Sequence, residues 1–178
     1  MECGFKLHDT MIYEKNSSSF PATKNSKRYT QIFEYMFVFT KGKIRNDISL
    51  LCDKKNKWFG HTNWGSNTQY DKEGNLIKTT NIKPVPEYSL RNNIWKYSTG
   101  FNKKTGHPAV FPEQLAIDHI LSWSNEGDTI LDPFLGSGTT AVACKKTNRK
   151  CIGIEISEKY CEIISNRIKS IDNEKNLF

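Results

Sequence analysis

The sequence predicts an α/β fold, and three stretches carry the prediction. Thr129-Ile130-Leu131-Asp132 is an apolar run that ends on a carboxylate, and Gly136 and Gly138 then turn the chain toward a run of small residues, Ala141-Val142-Ala143-Cys144. Cys151-Ile152-Gly153-Ile154-Glu155 is a second apolar run, and it too ends on an acid. The order is strand, tight loop, helix, strand. In such sheets ligands sit beyond the carboxyl ends of the strands, which is where both acids fall.

Each piece has a physical reason. Gly136 and Gly138 lack the β-carbons that would hold a ligand away from the backbone. Ser137, Thr139 or Thr140 is expected to cap the helix, whose free N–H groups attract an anionic group. Glu155 stands where these folds place a carboxylate for ribose hydroxyls, so the two halves describe a nucleoside-bearing cofactor. A phosphate-binding P-loop is excluded, because it requires a lysine where Gly138 is followed by Thr139 and Thr140. Gly136-Ser137-Gly138-Thr139-Thr140-Ala141 does fit the short dinucleotide pattern, which keeps a nicotinamide-binding oxidoreductase as an alternative. Asp132-Pro133-Phe134 favours another ligand. A carboxylate and an aromatic ring suit an ammonium and a sulfonium better than a pyrophosphate, which points to S-adenosylmethionine.

Asp132-Pro133-Phe134-Leu135-Gly136-Ser137-Gly138-Thr139-Thr140, the upstream His107-Pro108-Ala109-Val110-Phe111-Pro112-Glu113 and the downstream Gly153-Ile154-Glu155 resemble the cofactor motifs of DNA amino-methyltransferases. These enzymes methylate adenine N6 or cytosine N4, and a variable segment ahead of the cofactor half is similar to their β motif order. The resemblance implies an incomplete Rossmann-like sheet of the S-adenosylmethionine-dependent methyltransferase kind, with an irregular basic target-recognition insert and double-stranded DNA as substrate. It divides the chain into edge strands over 1–40, a target-recognition region over 41–104 and a cofactor half over 105–178. It also assigns the cofactor site. Phe111 and Pro112 become pocket wall, Asp132 lies by the methionine end, Phe134 lies near the sulfonium, and Pro133 between them belongs to the cofactor-binding set. Gly136, Ser137, Gly138 and Thr139 line the loop, and Glu155 holds the ribose.

Composition bounds the rest. The length of 178 residues suits one modest domain, and 37% hydrophobic with 12% aromatic residues suits a folded, soluble one. Cys3, Cys52, Cys144, Cys151 and Cys161 form no C-x-x-C pair, and an odd count argues against a disulfide framework, so neither disulfides nor a metal site is expected. Neither a membrane-length apolar run nor a signal-peptide pattern is present, and a reducing cytoplasm is the expected compartment. The net charge of +7 is concentrated in residues 41–104, where thirteen Lys and Arg face five acids. A basic middle on a near-neutral body is the footprint of a phosphate-backbone binder.

In chain order, Gly4–Lys15 and Ile32–Phe39 read as strands that pair at a sheet edge, with Glu34 a solvated edge acid unless the resemblance gives it a role. Between Lys41 and Lys104 regularity disappears, and Pro84 and Pro86 break any long helix. Trp58, Trp64 and Trp95 fall here and are expected to form the segment's own small core. Its lysines and arginines would meet phosphates and its Asn, Arg or aromatic side chains base edges, with no single base reader identifiable. Phe111-Pro112-Glu113 opens a helix to about Trp123, with Leu115, Ile120 and Trp123 toward the sheet and Gly127 beyond its end. His107 and His119 need no chemical role. Ser157–Ile168 reads as a packing helix and Asp172–Asn176 as a frayed polar tail.

One feature of the resembled family is missing. A base amine is a weak nucleophile, and these enzymes flip the base and hold it with an [Asp/Asn/Ser]-Pro-Pro-aromatic motif. Pro21, Pro84, Pro86, Pro108, Pro112 and Pro133 include no adjacent pair. No catalytic residue is therefore assigned to this chain. The motif is expected upstream of Met1, or on a complementing chain, with a restriction endonuclease as a further associated partner. Ile130-Leu131 would then be a strand with an unpaired edge, and the chain alone is expected to be inactive and aggregation-prone or poorly stable. The alternative function is a DNA-binding module with a vestigial cofactor fold. Adenine against cytosine, and the recognition site, stay open.

Overall fold

The structure is a computed structural model, and it describes all residues except 1, 2, 17–22, 24, 26, 28, 63–66, 80–82, 99–110 and 176–178. His107, Pro108, Ala109, Val110, Trp64 and Phe101 lie outside the described residues. Contacts divide the chain into two units, Met1–Leu50 with Asn93–Phe178, and Leu51–Asn92.

In the first unit, β1 (Phe5–Lys15) pairs antiparallel with β2 (Phe33–Lys41) from Phe5↔Lys41 to Glu14↔Phe33, with a register shift between Leu7 and Asp9. The expected pairing of these two runs is present. β1 is central, because β7 (Ile94–Tyr97) adds parallel to its other side. This corrects the expectation that order ceases between Lys41 and Lys104. It also relocates Trp95, which is 5% exposed in the first unit beside Met11 and Tyr13, and so is not part of a core within the basic segment.

The two faces of this sheet differ sharply. One packs on α1 (Glu113–Trp123): Nε2 of His119 lies 3.1 Å from Met36 Sδ, the His119 and Trp95 rings are 4.8 Å apart, and Tyr97 Oη donates to Asp118 Oδ2 at 2.5 Å. The other carries Tyr35, Phe37 and Phe39, each more than half exposed, with neighbouring rings 5.8 and 6.3 Å apart. Glu34 is an exposed acid paired with Lys15.

Helix α1 starts after Pro112, whose missing N–H would be an orphan at a helix N-terminus. Leu115 and Ile120 are buried as expected, and the Trp123 ring lies edge-on to His8 of β1, 5.6 Å away. Beyond it, β8 (Thr129–Asp132) and β9 (Lys150–Gly153) pair parallel around α2 (Thr139–Lys146). Ala116 and Ile120 of α1 meet Ala143 and Cys144 of α2, with Ile130 and Cys151 packed against them. The residues alternating with these, Leu131 and Ile152, pair in register and are 61% and 55% exposed.

Helix α3 runs from Glu158 to Lys175. The expected frayed tail is thus largely helical, because Ile171 is buried and Asp172 pairs with Lys145 of α2 at 2.6 Å. No helix among the described residues is long and apolar enough to cross a membrane.

The second unit is built from two short antiparallel pairs. β3 (Lys54–Lys55) pairs with β6 (Tyr88–Ser89), and β4 (Asn67–Tyr70) with β5 (Leu76–Thr79). Asp71 closes the second hairpin by accepting from the N–H groups of Glu73 and Asn75 at 2.9 and 2.8 Å, which holds its carboxyl below the usual range. Trp58 is 47% exposed, so the expected small core does not form around it.

Candidate cofactor site

The loop between β8 and α2 is fixed by its own backbone and by β9. Ile154 N–H donates to the Asp132 carbonyl at 2.9 Å, and Leu135 N–H donates to the Ile154 carbonyl at 2.9 Å. Gly138 N–H closes back on the Leu135 carbonyl at 3.0 Å. Gly136 and Gly138 have φ of 55° and 85°, a region where a β-carbon costs energy. At Gly138 a β-carbon would also stand 2.7 Å from Ile164 Cγ1 of α3, so the loop sits tightly on that helix.

Helix α2 begins at Thr139 with Gly138 as its N-cap and no side-chain cap bond. The expected capping by Ser137, Thr139 or Thr140 is therefore absent. Ser137 and Thr139 are 4% and 5% exposed and are taken up inside the fold, while a left-handed glycine makes the turn.

The two acids meet the loop from adjacent strands. Asp132 and Gly153 are register partners, which brings Glu155 to the same end of the pair. Asp132 Oδ1 accepts from Phe134 N–H at 3.0 Å. Glu155 Oε2 accepts from Gly136 N–H at 2.8 Å, and its Oε1 accepts from Ser157 N–H at 2.8 Å. Glu155 thus organises the glycine loop and the start of α3 with one side chain. A carboxylate has about four lone-pair sites, so both acids keep capacity for a ligand.

Phe134 follows at 89% exposure, a bare ring at the mouth of the loop. Pro133 is exposed beside it. Phe111 is 42% exposed and Pro112 caps α1. The next residue, Glu113, pairs with Lys146 of α2 at 2.6 Å and lies 3.8 Å from Arg167 of α3. Arg167 Nη1 in turn donates to the Ser137 carbonyl at 2.5 Å. Arg167 is the member of this region that sequence reasoning missed. Burial lowers its guanidinium pKa and Glu113 opposes that fall. A signal was available, since Arg167 lies three and four residues from Ile164 and Ile171 on the apolar stripe of α3.

Carboxylates, an open aromatic ring and a glycine loop with its N–H groups turned into bonds at a strand's carboxyl end fit a nucleoside bearing a cationic amino-acid arm. The class these features define is an α/β protein with a glycine loop and two acids at the carboxyl ends of parallel strands.

Comparison with known proteins makes the family specific. The DNA methylase family of the N6/N4 type matches residues 1–166, and the chain belongs to it. Over 175 residues it is 50% identical to the orphan methyltransferase M.BamHII of Bacillus amyloliquefaciens, covering 95% of this chain and 64% of that protein. Over 173 residues it is 46% identical to the type II methyltransferase M2.DpnII of Streptococcus pneumoniae, covering 97% of this chain and 54% of that protein. The crystal structure of the M1.HpyAVI–SAM complex aligns with a TM-score of 0.56 at 31% identity, over 93% of this chain and 63% of that one. The chain thus spans between 54% and 64% of the length of these relatives.

Proposed function

We propose that this chain is the cofactor-binding and DNA-recognition part of a DNA amino-methyltransferase acting on adenine N6 or cytosine N4 in double-stranded DNA. One observation carries the proposal: Asp132 and Glu155 stand at adjacent strand ends, each bound to backbone N–H groups of the loop between β8 and α2 or its flank. S-adenosylmethionine, when bound, supplies an electrophilic methyl group on a sulfonium.

The chain's own residues bind and orient. Asp132 would accept from the ammonium of the methionine arm, Phe134 would offer its exposed ring to the sulfonium, and Pro133 would stiffen the link between the two residues. Glu155, which holds Gly136, would accept from the ribose hydroxyls. Gly138, Ser137 and Thr139 shape the loop, and Phe111 with Pro112 forms a wall. Residues 41–104 form the target-recognition region apart from β7, which joins the sheet strands contributed by residues 1–40, and 105–178 form the cofactor half.

The Pro-Pro motif that would hold the flipped base is supplied from outside these 178 residues, on the same or another polypeptide. The bare side chains of Leu131, Ile152, Phe37 and Phe39 support a completing polypeptide.

Calorimetric titration with S-adenosylhomocysteine tests the reading. Saturable binding is expected, weakened about tenfold or more by Asp132→Ala or Glu155→Ala through loss of charge-assisted hydrogen bonds. A dinucleotide should not compete. Adding a polypeptide with the Pro-Pro motif should restore methyl transfer to DNA. A folded chain that ignores S-adenosylhomocysteine, or yields it to a nicotinamide dinucleotide, would falsify the proposal.

A further inference from the structure

The second unit presents an exposed aromatic pair beside a cluster of lysines. Lys54, Lys55 and Lys57 fall within four residues, all exposed, and no acid lies between Lys54 and His61. Trp58 and Phe59 follow at 47% and 60% exposure. Single exposed apolar residues are ordinary, but two adjacent large rings on a braced turn are not.

The bracing is specific. Asn56 N–H donates to the Glu87 carbonyl at 2.8 Å, Gly60 N–H to the Val85 carbonyl at 3.0 Å, and Val85 N–H to the His61 carbonyl at 3.0 Å. His61 N–H closes the turn onto the Trp58 carbonyl at 3.1 Å, with Gly60 at φ 80°. At the base, Arg91 forms an ion pair with Asp53, which takes that acid out of the local charge balance. The Lys57 ammonium lies 5.4 Å from the Trp58 ring centroid, and the His61 ring meets it edge-on at 5.4 Å. Backbone bonds on both flanks hold the turn in place, so little backbone ordering remains to oppose binding.

The chemistry that matches is a polyanion with flat apolar faces. An acidic peptide would satisfy the lysines and leave the rings idle. Nucleic acid satisfies both, through phosphates and the faces of unstacked bases. We propose that the Lys57–His61 turn is a DNA-contacting tip, with Lys54, Lys55 and Lys57 on phosphates and Trp58 with Phe59 against unstacked bases. The proposal rests on the methyltransferase reading and deepens it by naming the substrate contact.

The test uses the 178-residue chain and fluorescent duplexes of mixed sequence, one fully paired and one with a single unpaired base, read by anisotropy. Trp58→Ala and Phe59→Ala are each expected to weaken binding to the unpaired-base duplex about tenfold, and binding to the paired duplex less. Trp58→Phe should restore most of that loss. Lys55→Ala with Lys57→Ala should reduce the slope of log affinity against log salt by about two, one counterion-releasing contact for each lysine. Affinity for S-adenosylhomocysteine should not change in any of these variants, which also reports that the first unit stays folded.

A wild-type chain that binds S-adenosylhomocysteine but not DNA overturns the tip alone, whereas loss of S-adenosylhomocysteine binding strikes the cofactor reading. Ring variants with wild-type DNA affinity, an unchanged salt slope, a Trp58→Phe variant as weak as Trp58→Ala, or tighter binding to a poly-glutamate peptide or anionic vesicles each overturn the tip as well.

Discussion

Gly138 carries two demands at once. Its φ of 85° disfavours any β-carbon, and the space such an atom would take is filled by Ile164. Gly138→Ala is expected to cost about 2 kcal/mol or more, from left-handed strain and overpacking together. Urea unfolding would measure it, and adding Ile164→Ala should return the overpacking part and leave the strain. Strict additivity in that double-mutant cycle would contradict the contact. Arg167 and Glu155 work in the same neighbourhood by different means: one donates to the loop's Ser137 carbonyl, the other accepts from its Gly136 N–H. The sequence makes Gly138 and Glu155 visible through spacing. Ile164 and Arg167, which restrain the loop at Gly138 and at the Ser137 carbonyl, lie more than twenty residues beyond it and have no local pattern tying them to it.

Helix α1 shows how an element takes its role from both sides. It separates two sheets that share no backbone pairing among the described residues, meeting β1, β2 and β7 through His8, Met36 and Trp95 and meeting α2 through Ala116 and Ile120. Half-buried His119 faces Met36 and Trp95, and burial lowers its pKa from the ordinary 6.5, with Asp118 opposing. The unfolded chain then binds the proton first as pH falls. Stability is full above pH 6.5 and declines below it until the folded histidine also protonates. Thermal unfolding from neutral pH down toward 5 should show the decline, and His119→Gln should flatten it. An unchanged slope in that variant would assign the effect elsewhere. The helices and β8 with β9 were legible because their periodic or continuous apolar runs are local. β7 was not, since four residues with one buried tryptophan set no period, and its place depends on a partner more than eighty residues earlier. The last turn of α3 was hidden likewise, because a lone Ile171 among polar residues gains its weight only from packing.

Across the whole molecule the largest unmet demand is apolar. Tyr35, Phe37 and Phe39 on one sheet and Leu131 with Ile152 on the other each keep more than half their surface exposed. The purified chain is expected to bind a hydrophobic dye and to self-associate, and Phe37→Glu should reduce both without lowering the unfolding midpoint. A monodisperse, dye-silent chain unaffected by Phe37→Glu would remove the case for a completing polypeptide. The pairing of β8 adds a rule to that completion. Its one partner among the described residues is β9, which leaves a row of donors and acceptors along its opposite side. A strand that adds there in parallel inherits a ruler: side chains alternate with period two, so only even shifts keep apolar residues on the covered face. In the aligned register its last residue stops level with Asp132. Phe134 leaves from that same end of β8, so a completing strand in this register would finish beside the loop that carries the exposed ring.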